Sequence, residues 1–278
     1  MKRIICLLLL LISIEVIAQK SPNKIGIVSY TYRNSFPINF AATLDTIKAL
    51  GINNIEFSNL FGQTPEAIRA MLDARGMYCT SYGASYDDAV NKTHEVGGIA
   101  MVLGAKYVRV AWLNLNAPMT AAQALKIAQD FNTIGGILKS GYDLDFCYHN
   151  HGYEFGPYEG GTVFDLIVKN TDPKKVNFEL DILWAHIADA DPSVLLKKYP
   201  DRFKLIHVKD LKKGTAHDLS GKTDINNDVT LGTGEINIPE VLNAAAKSGI
   251  QYFYIEDEST NVNQQVPESL KFLKSKLK

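Results

Sequence analysis

Four short runs in the second half of the chain end in side chains able to bind a metal or move a proton. Asp145-Phe146-Cys147-Tyr148-His149-Asn150-His151 is followed by Glu154. The others are Phe178-Glu179-Leu180-Asp181, Leu205-Ile206-His207-Val208-Lys209-Asp210 and Tyr252-Phe253-Tyr254-Ile255-Glu256-Asp257-Glu258. On an extended strand, side chains two apart share a face, so His149 projects with His151, Glu179 with Asp181, and His207 with Lys209. Four adjacent strands can therefore aim His149, Asp181, His207 and Glu256 at a common point. Such a mixed imidazole and carboxylate set suits Zn, Mn, Co or Fe better than Ca or Mg. A polar network without metal would explain one histidine at a strand end; four such positions together favour one bound divalent metal.

Those runs need a scaffold that places strand ends side by side. From Lys24 onward, β-like runs at 25–32, 52–58, 77–85, 107–112, 144–151, 176–183, 203–209 and 252–258 alternate with amphipathic segments. The helical segments have recognisable ends: Thr64-Pro65 opens one that Gly76 closes, Met119 to Ser140 reads as a long helix, and Ile238-Pro239 opens another that Gly249 ends. The pairs Gly97-Gly98 and Gly135-Gly136 fall inside helical stretches, against propensity. Parallel strands need helical crossovers, so the alternation predicts an α/β fold. An open doubly wound sheet is the rival, but no G-x-G-x-x-G follows the first run, and eight repeats favour closure into a single (β/α)8 TIM barrel over 24–278. The long irregular stretch from Leu211 to Ile236 then falls on the catalytic face, where it can act as a lid.

At the chain level, 29 basic against 30 acidic residues give a formal net charge of -1, which offers no basic face to nucleic acid. Lys2 and Arg3 precede an apolar run from Ile4 to Ile14, with Val16-Ile17-Ala18 before a cleavage point. This is the pattern of a secretory signal removed at 1–18, and it is shorter than the ~20 residues of a membrane span. The expectation is an exported, periplasmic protein with no membrane span after cleavage. Cys79 and Cys147 lie in apolar strand-like runs and read as buried thiols, with no disulfide framework. His94 and His217 are expected at the surface and His186 in a structural role. Gly232-Thr233-Gly234 is better suited to a tight turn than to a phosphate cradle.

The ordered set Tyr148-His149-Asn150-His151 with Glu154-Phe155, Asp181 with Trp184, His207-Val208-Lys209-Asp210, Gly232-Thr233-Gly234-Glu235-Ile236 and Ile255-Glu256 resembles the xylose-isomerase-like barrel superfamily. The resemblance lies in the sugar phosphate isomerase/epimerase branch that also includes the endonuclease IV-like proteins, and it covers nearly the whole chain after the signal. It implies one divalent metal held by a Glu on strand five, an Asp on six, a His on seven and a Glu on eight. Asp181, His207 and Glu256 match; at the fifth strand either His149 replaces the Glu or Glu154 supplies the carboxylate. It also implies proton abstraction next to a sugar carbonyl, with Glu256, Glu154 and His151 as proton-transfer candidates and Lys209 steadying the oxyanion. Tyr30, Tyr82, Trp112 and Trp184 are candidate aromatic walls for a sugar ring.

An export signal and the lack of an Arg/Lys cluster point to a neutral small-molecule sugar or glycoside. The reading is a metal-dependent keto-sugar isomerase or epimerase, with a 3-keto-glycoside lyase or hydratase as its close variant. A non-catalytic sugar-binding barrel would predict a broken ligand set, whereas Asp181, His207 and Glu256 are all present. A nuclease would need a basic groove and more histidines than the six here.

Overall fold

The computed structural model describes residues 24–277, so the signal segment at 1–18 lies outside the described residues. Eight parallel strands close into a barrel: β1 Ile25–Val28, β2 Asn54–Phe57, β3 Tyr78–Ala84, β4 Tyr107–Val110, β5 Asp145–His149, β6 Val176–Asp181, β7 Phe203–Val208 and β8 Tyr252–Ile255. β1 completes the ring by pairing with both β2 and β8. A small antiparallel ribbon, Pro157–Tyr158 with Gly161–Thr162, follows β5. No helix among the described residues is long and apolar enough to cross a membrane.

Each expected strand is present, and all eight stop short of the expected end, where the chain turns over the barrel mouth. The first run leaves the sheet at Val28, and Ser29–Tyr32 curls into a 3-10 turn. The eighth ends at Ile255, so Glu256 to Glu258 stand on the loop above it. The helix starts are built as their sequences suggest. Thr64 accepts a hydrogen bond from the Ala67 N–H ahead of Pro65, and Thr120 forms a reciprocal capping box with Gln123 to open the long helix Ala121–Tyr142.

One glycine of each pair has a packing reason. A Cβ on Gly135 would collide with the Lys175 carbonyl oxygen, and one on Gly97 would lie 2.8 Å from the Tyr142 ring. Helix propensity yields there to close approach of neighbouring backbones and rings.

Alternation along the strands divides the core. One face packs under the helices; the other fills the barrel in layers. Val28, Tyr107, Cys147, Leu205 and Tyr254 form an apolar plug inside the barrel. Two residues further along the same strands, the interior turns polar, with Arg109, His149, His207 and Glu256 following Tyr107, Cys147, Leu205 and Tyr254. The strand register slips by one residue at two places, between Ile55 and Glu56 against β3 and between Phe178 and Glu179 against β7. Both slips fall beside a buried glutamate of the polar layer, where a bulge can re-aim a side chain.

Candidate active site

Above the apolar plug, the strand ends bring their polar residues together in two tiers. In the lower tier, Glu56 of β2, Arg109 of β4 and Glu179 of β6 are buried and joined: the Arg109 Nε lies 2.8 Å from Glu56 Oε1 and 3.2 Å from Glu179 Oε2. These carboxylates hold the two imidazoles. Glu179 Oε2 is 3.1 Å from His149 Nδ1 and 3.3 Å from His207 Nε2, while Glu56 Oε1 is 2.8 Å from that same Nε2.

The upper tier consists of the remaining ring nitrogens and two more carboxylates. His207 Nδ1 lies 3.1 Å from Glu256 Oε2 and 3.8 Å from Asp181 Oδ2. His149 Nε2 is 3.7 Å from Asp181 Oδ2. The structure thus gathers Asp181, His207 and Glu256 into one ligand group, with His149 beside Asp181 and joined to His207 through Glu179. Asp181 is fixed by its other oxygen, which accepts the Leu183 and Trp184 N–H groups. Its buried Oδ2 has no hydrogen-bond partner.

Charge explains what this arrangement can hold. Glu56, Glu179, Asp181, Asp228, Glu256 and Glu258 crowd the barrel mouth, with Arg109 and Lys209 as the permanent cations among them. Burial pushes the carboxyls of Glu179 and Asp181 up, to about 7 and about 6. Burial and the neighbouring His207 hold His149 well below its ordinary value, so its Nε2 lone pair is free. His207 itself is raised against its burial by Glu179, Glu256 and Glu56. A site short of positive charge, with an unpartnered carboxylate oxygen beside a neutral imidazole, fits a divalent metal on His149, Asp181, His207 and Glu256. Glu179 and Glu56 would then act behind the ligands, each orienting an imidazole through its other nitrogen.

Glu154 does not join this set. The chain doubles back after His151, and the buried Glu154 carboxylate accepts the His151 N–H at 3.0 and 3.2 Å and the Tyr148 hydroxyl. It braces the loop from behind, which leaves His149 as the fifth-strand residue of the cluster and removes Glu154 from proton transfer.

Lys209 is also placed differently from the expectation. Its ammonium is 2.6 Å from Glu258, 3.1 Å from Glu256 and 3.5 Å from Asp228. Two of the ammonium's three protons go to Glu256 and Glu258, with Asp228 in ion-pair range, so Lys209 first of all positions Glu256. Lys209 and His207 in turn hold the Glu256 carboxyl well below the usual range against its burial, which makes Glu256 a poor base.

A cavity of about 650 Å³ opens over the cluster, lined by Tyr30, Trp112, His151, Trp184, Lys222 and Glu256 among others. Tyr82 is not among its walls; it is packed in the core. His151 stacks on Tyr153 and Trp184, with Trp112 edge-on. Burial and Lys209 push its imidazole down to about 3, keeping it neutral, and its Nδ1 has no partner. Lys222 of the 211–236 loop lies over the Trp112 ring, 5.8 Å from its centroid, so the loop does reach the cavity.

Other candidates sort by their contacts. Asp210 accepts the N–H groups of Leu211, Gly232, Gly234 and Ile236 at 2.8 to 3.2 Å. The Gly232 and Gly234 donors are therefore spent on the protein's own carboxylate and the Thr233 N–H on the Thr230 carbonyl, so a phosphate would find none free. Cys147 lies in the apolar plug beneath His149, its thiol pushed well up by burial. His94 bonds Tyr142 at the surface, while His186 and His217 meet at Glu235 on the rim.

Sequence reasoning passed over Glu56, Arg109, Asp228 and Glu258, and noted Glu179 only for its face. The available signal was a charge inside a short apolar strand, as in Asn54-Ile55-Glu56-Phe57 and Tyr107-Val108-Arg109-Val110. Such a charge is rarely buried unless paired.

Residues 44–276 match the family model described as a xylose isomerase-like TIM barrel. An inosose dehydratase of Halalkalibacterium halodurans is 32% identical over 93 residues, which is 34% of this chain and 30% of that protein's length. Among solved structures, a sugar phosphate isomerase/epimerase from Parabacteroides distasonis superposes with a TM-score of 0.75 at 22% identity, covering 93% of this chain and 98% of that one. The IolI protein with a bound zinc atom superposes with a TM-score of 0.70 at 14% identity, covering 91% and 96%. At these identities the two structures share the fold.

Proposed function

This chain belongs to the xylose isomerase-like TIM barrel family, and we propose that it is a divalent-metal-dependent lyase of keto-sugars or keto-glycosides. The reaction is removal of a proton next to the substrate carbonyl, followed by loss of the oxygen substituent one carbon further on. The observation that carries the reading is the unpartnered Asp181 Oδ2, set between His149 Nε2 and His207 Nδ1 beneath a cavity with aromatic walls. A metal bound by His149, Asp181, His207 and Glu256 would hold the carbonyl and its neighbouring hydroxyl and stabilise the enediolate charge.

The protein's own residues supply the rest. His151 lines the cavity and is neutral, so it is the group placed to take the α-proton and return it to the departing oxygen; burial and Lys209 hold its imidazole at about 3, and the negative charge developing on the substrate beside it would raise it as the proton moves. Elimination needs one such group, whereas epimerisation needs a second on the opposite face, and Glu154 is turned away behind the loop. Trp112, Trp184 and Tyr30 offer ring faces to a sugar. Of the cavity's cations, Arg109 is held by Glu56 and Glu179, which suits a neutral substrate better than a phosphorylated one. The inosose dehydratase relative, whose name denotes loss of water from a keto-polyol, supports elimination as well. From the basic and apolar sequence pattern at 1–18 we further propose that this activity is exported to the periplasm.

The metal-loaded protein is expected to release the aglycone from a 3-keto-glycoside, and His151→Gln to lower kcat by roughly 100-fold or more. Solvent-deuterium exchange into a free ketose without aglycone release would replace the lyase by an epimerase.

A further inference from the structure

Away from the barrel mouth, a second set of ligand-type side chains converges on the rim. His186 comes from the helix Ile182–Ile187 that follows Asp181, and His217 and Glu235 come from opposite ends of the 211–236 loop. Both imidazoles point a nitrogen at the same carboxylate oxygen: His186 Nε2 is 3.2 Å and His217 Nε2 3.1 Å from Glu235 Oε1. The ligand atoms all lie within 4.8 Å of one another, beside a cavity of about 300 Å³.

The partners of the remaining atoms show what is missing. His217 Nδ1 is 2.7 Å from Asp189 Oδ1, and Glu235 Oε2 accepts the Gly214 N–H at 2.9 Å. A neutral imidazole carries one proton. His217 stands between the carboxylates of Asp189 and Glu235, so positive charge belongs there, either as a second ring proton or as a metal ion on Nε2 in that proton's place. Tetrahedral zinc with ligands at ~2.0–2.1 Å sets neighbouring ligand atoms about 3.3 Å apart. The two spacings to Glu235 Oε1 are close to that edge. Asp189 behind His217 is the carboxylate–histidine pairing that orients metal-bound imidazoles.

We propose that His186, His217 and Glu235 form a second divalent-metal site of the zinc class, sharing no ligand with the barrel cluster. It leaves a fourth position to water and ties both ends of the loop to the helix that carries Trp184. Its function is structural: it clips the loop that holds Lys222 over the substrate cavity.

The test is zinc stoichiometry on the full chain, stripped with a chelator, reloaded with zinc chloride and freed of unbound metal by gel filtration. Two zinc per chain are expected, falling by one in His186→Gln and in His217→Gln, with Asp181→Asn losing only the barrel zinc. A wild-type content that neither histidine variant lowers would overturn the rim site, as would a single zinc lost only with Asp181→Asn. A single zinc lost in the histidine variants but kept in Asp181→Asn would uphold the rim site and reject the barrel one. Zinc should also slow tryptic cleavage at Lys212, Lys213 and Lys222 in the wild type at least several-fold. Unchanged cleavage would refute the clip without relying on any variant folding.

Discussion

Burial gives Glu154 a titration that can be followed. Its carboxyl is raised from 4.5 to about 7, first by burial and in spite of the Tyr148 hydroxyl and the His151 N–H that favour its charge. The folded state therefore holds the proton more tightly than the unfolded chain. That contribution is fully present below about pH 4.5 and is lost as pH rises through about 7, on the order of 3 kcal/mol at most. Glu154→Gln has no such proton, so its stability relative to wild type should climb between pH 5 and 8 in urea titrations. A pH-independent difference would contradict the raised carboxyl. The same variant should keep the zinc content of the wild type; losing zinc would return Glu154 to the ligand set. Alternation along a strand could not place this residue, because the chain has left the sheet and reversed at Gly152 before Glu154 is reached. His149, Asp181, His207 and Glu256 were legible because each lies within one residue of the end of a regular strand.

At the scale of elements, all eight strands could be read from apolar runs, and the helices opening near Thr64-Pro65, Met119 and Ile238-Pro239 from the residues at their starts. What could not be read was contact between segments distant in sequence. Gly135 looks like a helix weakness until Lys175, before β6, is seen against it. Glu56 and Arg109 read as isolated charges until the closed barrel brings β2 and β4 around to β6 and β7. The glycines allow a direct comparison. Gly135→Ala forces a backbone displacement and should cost about 1–3 kcal/mol, typical of overpacking. Gly98 has open space where its Cβ would go, so Gly98→Ala should gain up to about 1 kcal/mol from helix propensity. Equal midpoints in chemical denaturation for the two variants would show that the approach of Lys175 does not constrain the long helix.

For the molecule as a whole, the export reading has a simple check. Expressed in a bacterium with a periplasm, the protein should be recovered there, beginning at Gln19 and lacking the apolar segment that precedes it. Recovery from the cytoplasm with Met1 intact would remove the export proposal and with it one argument against phosphorylated substrates. The Asp210 carboxylate has a different consequence. It grips Leu211 where the loop departs and Gly232, Gly234 and Ile236 where it returns, and Lys212 bonds Asn227 just above that grip. The barrel thus meets this excursion at a narrow neck, and the join between β7 and β8 is fixed below it. The tip of the excursion reaches the cavity through Gly221, Lys222 and Thr223, so substitutions there can alter which sugar is accepted while the neck stays as it is.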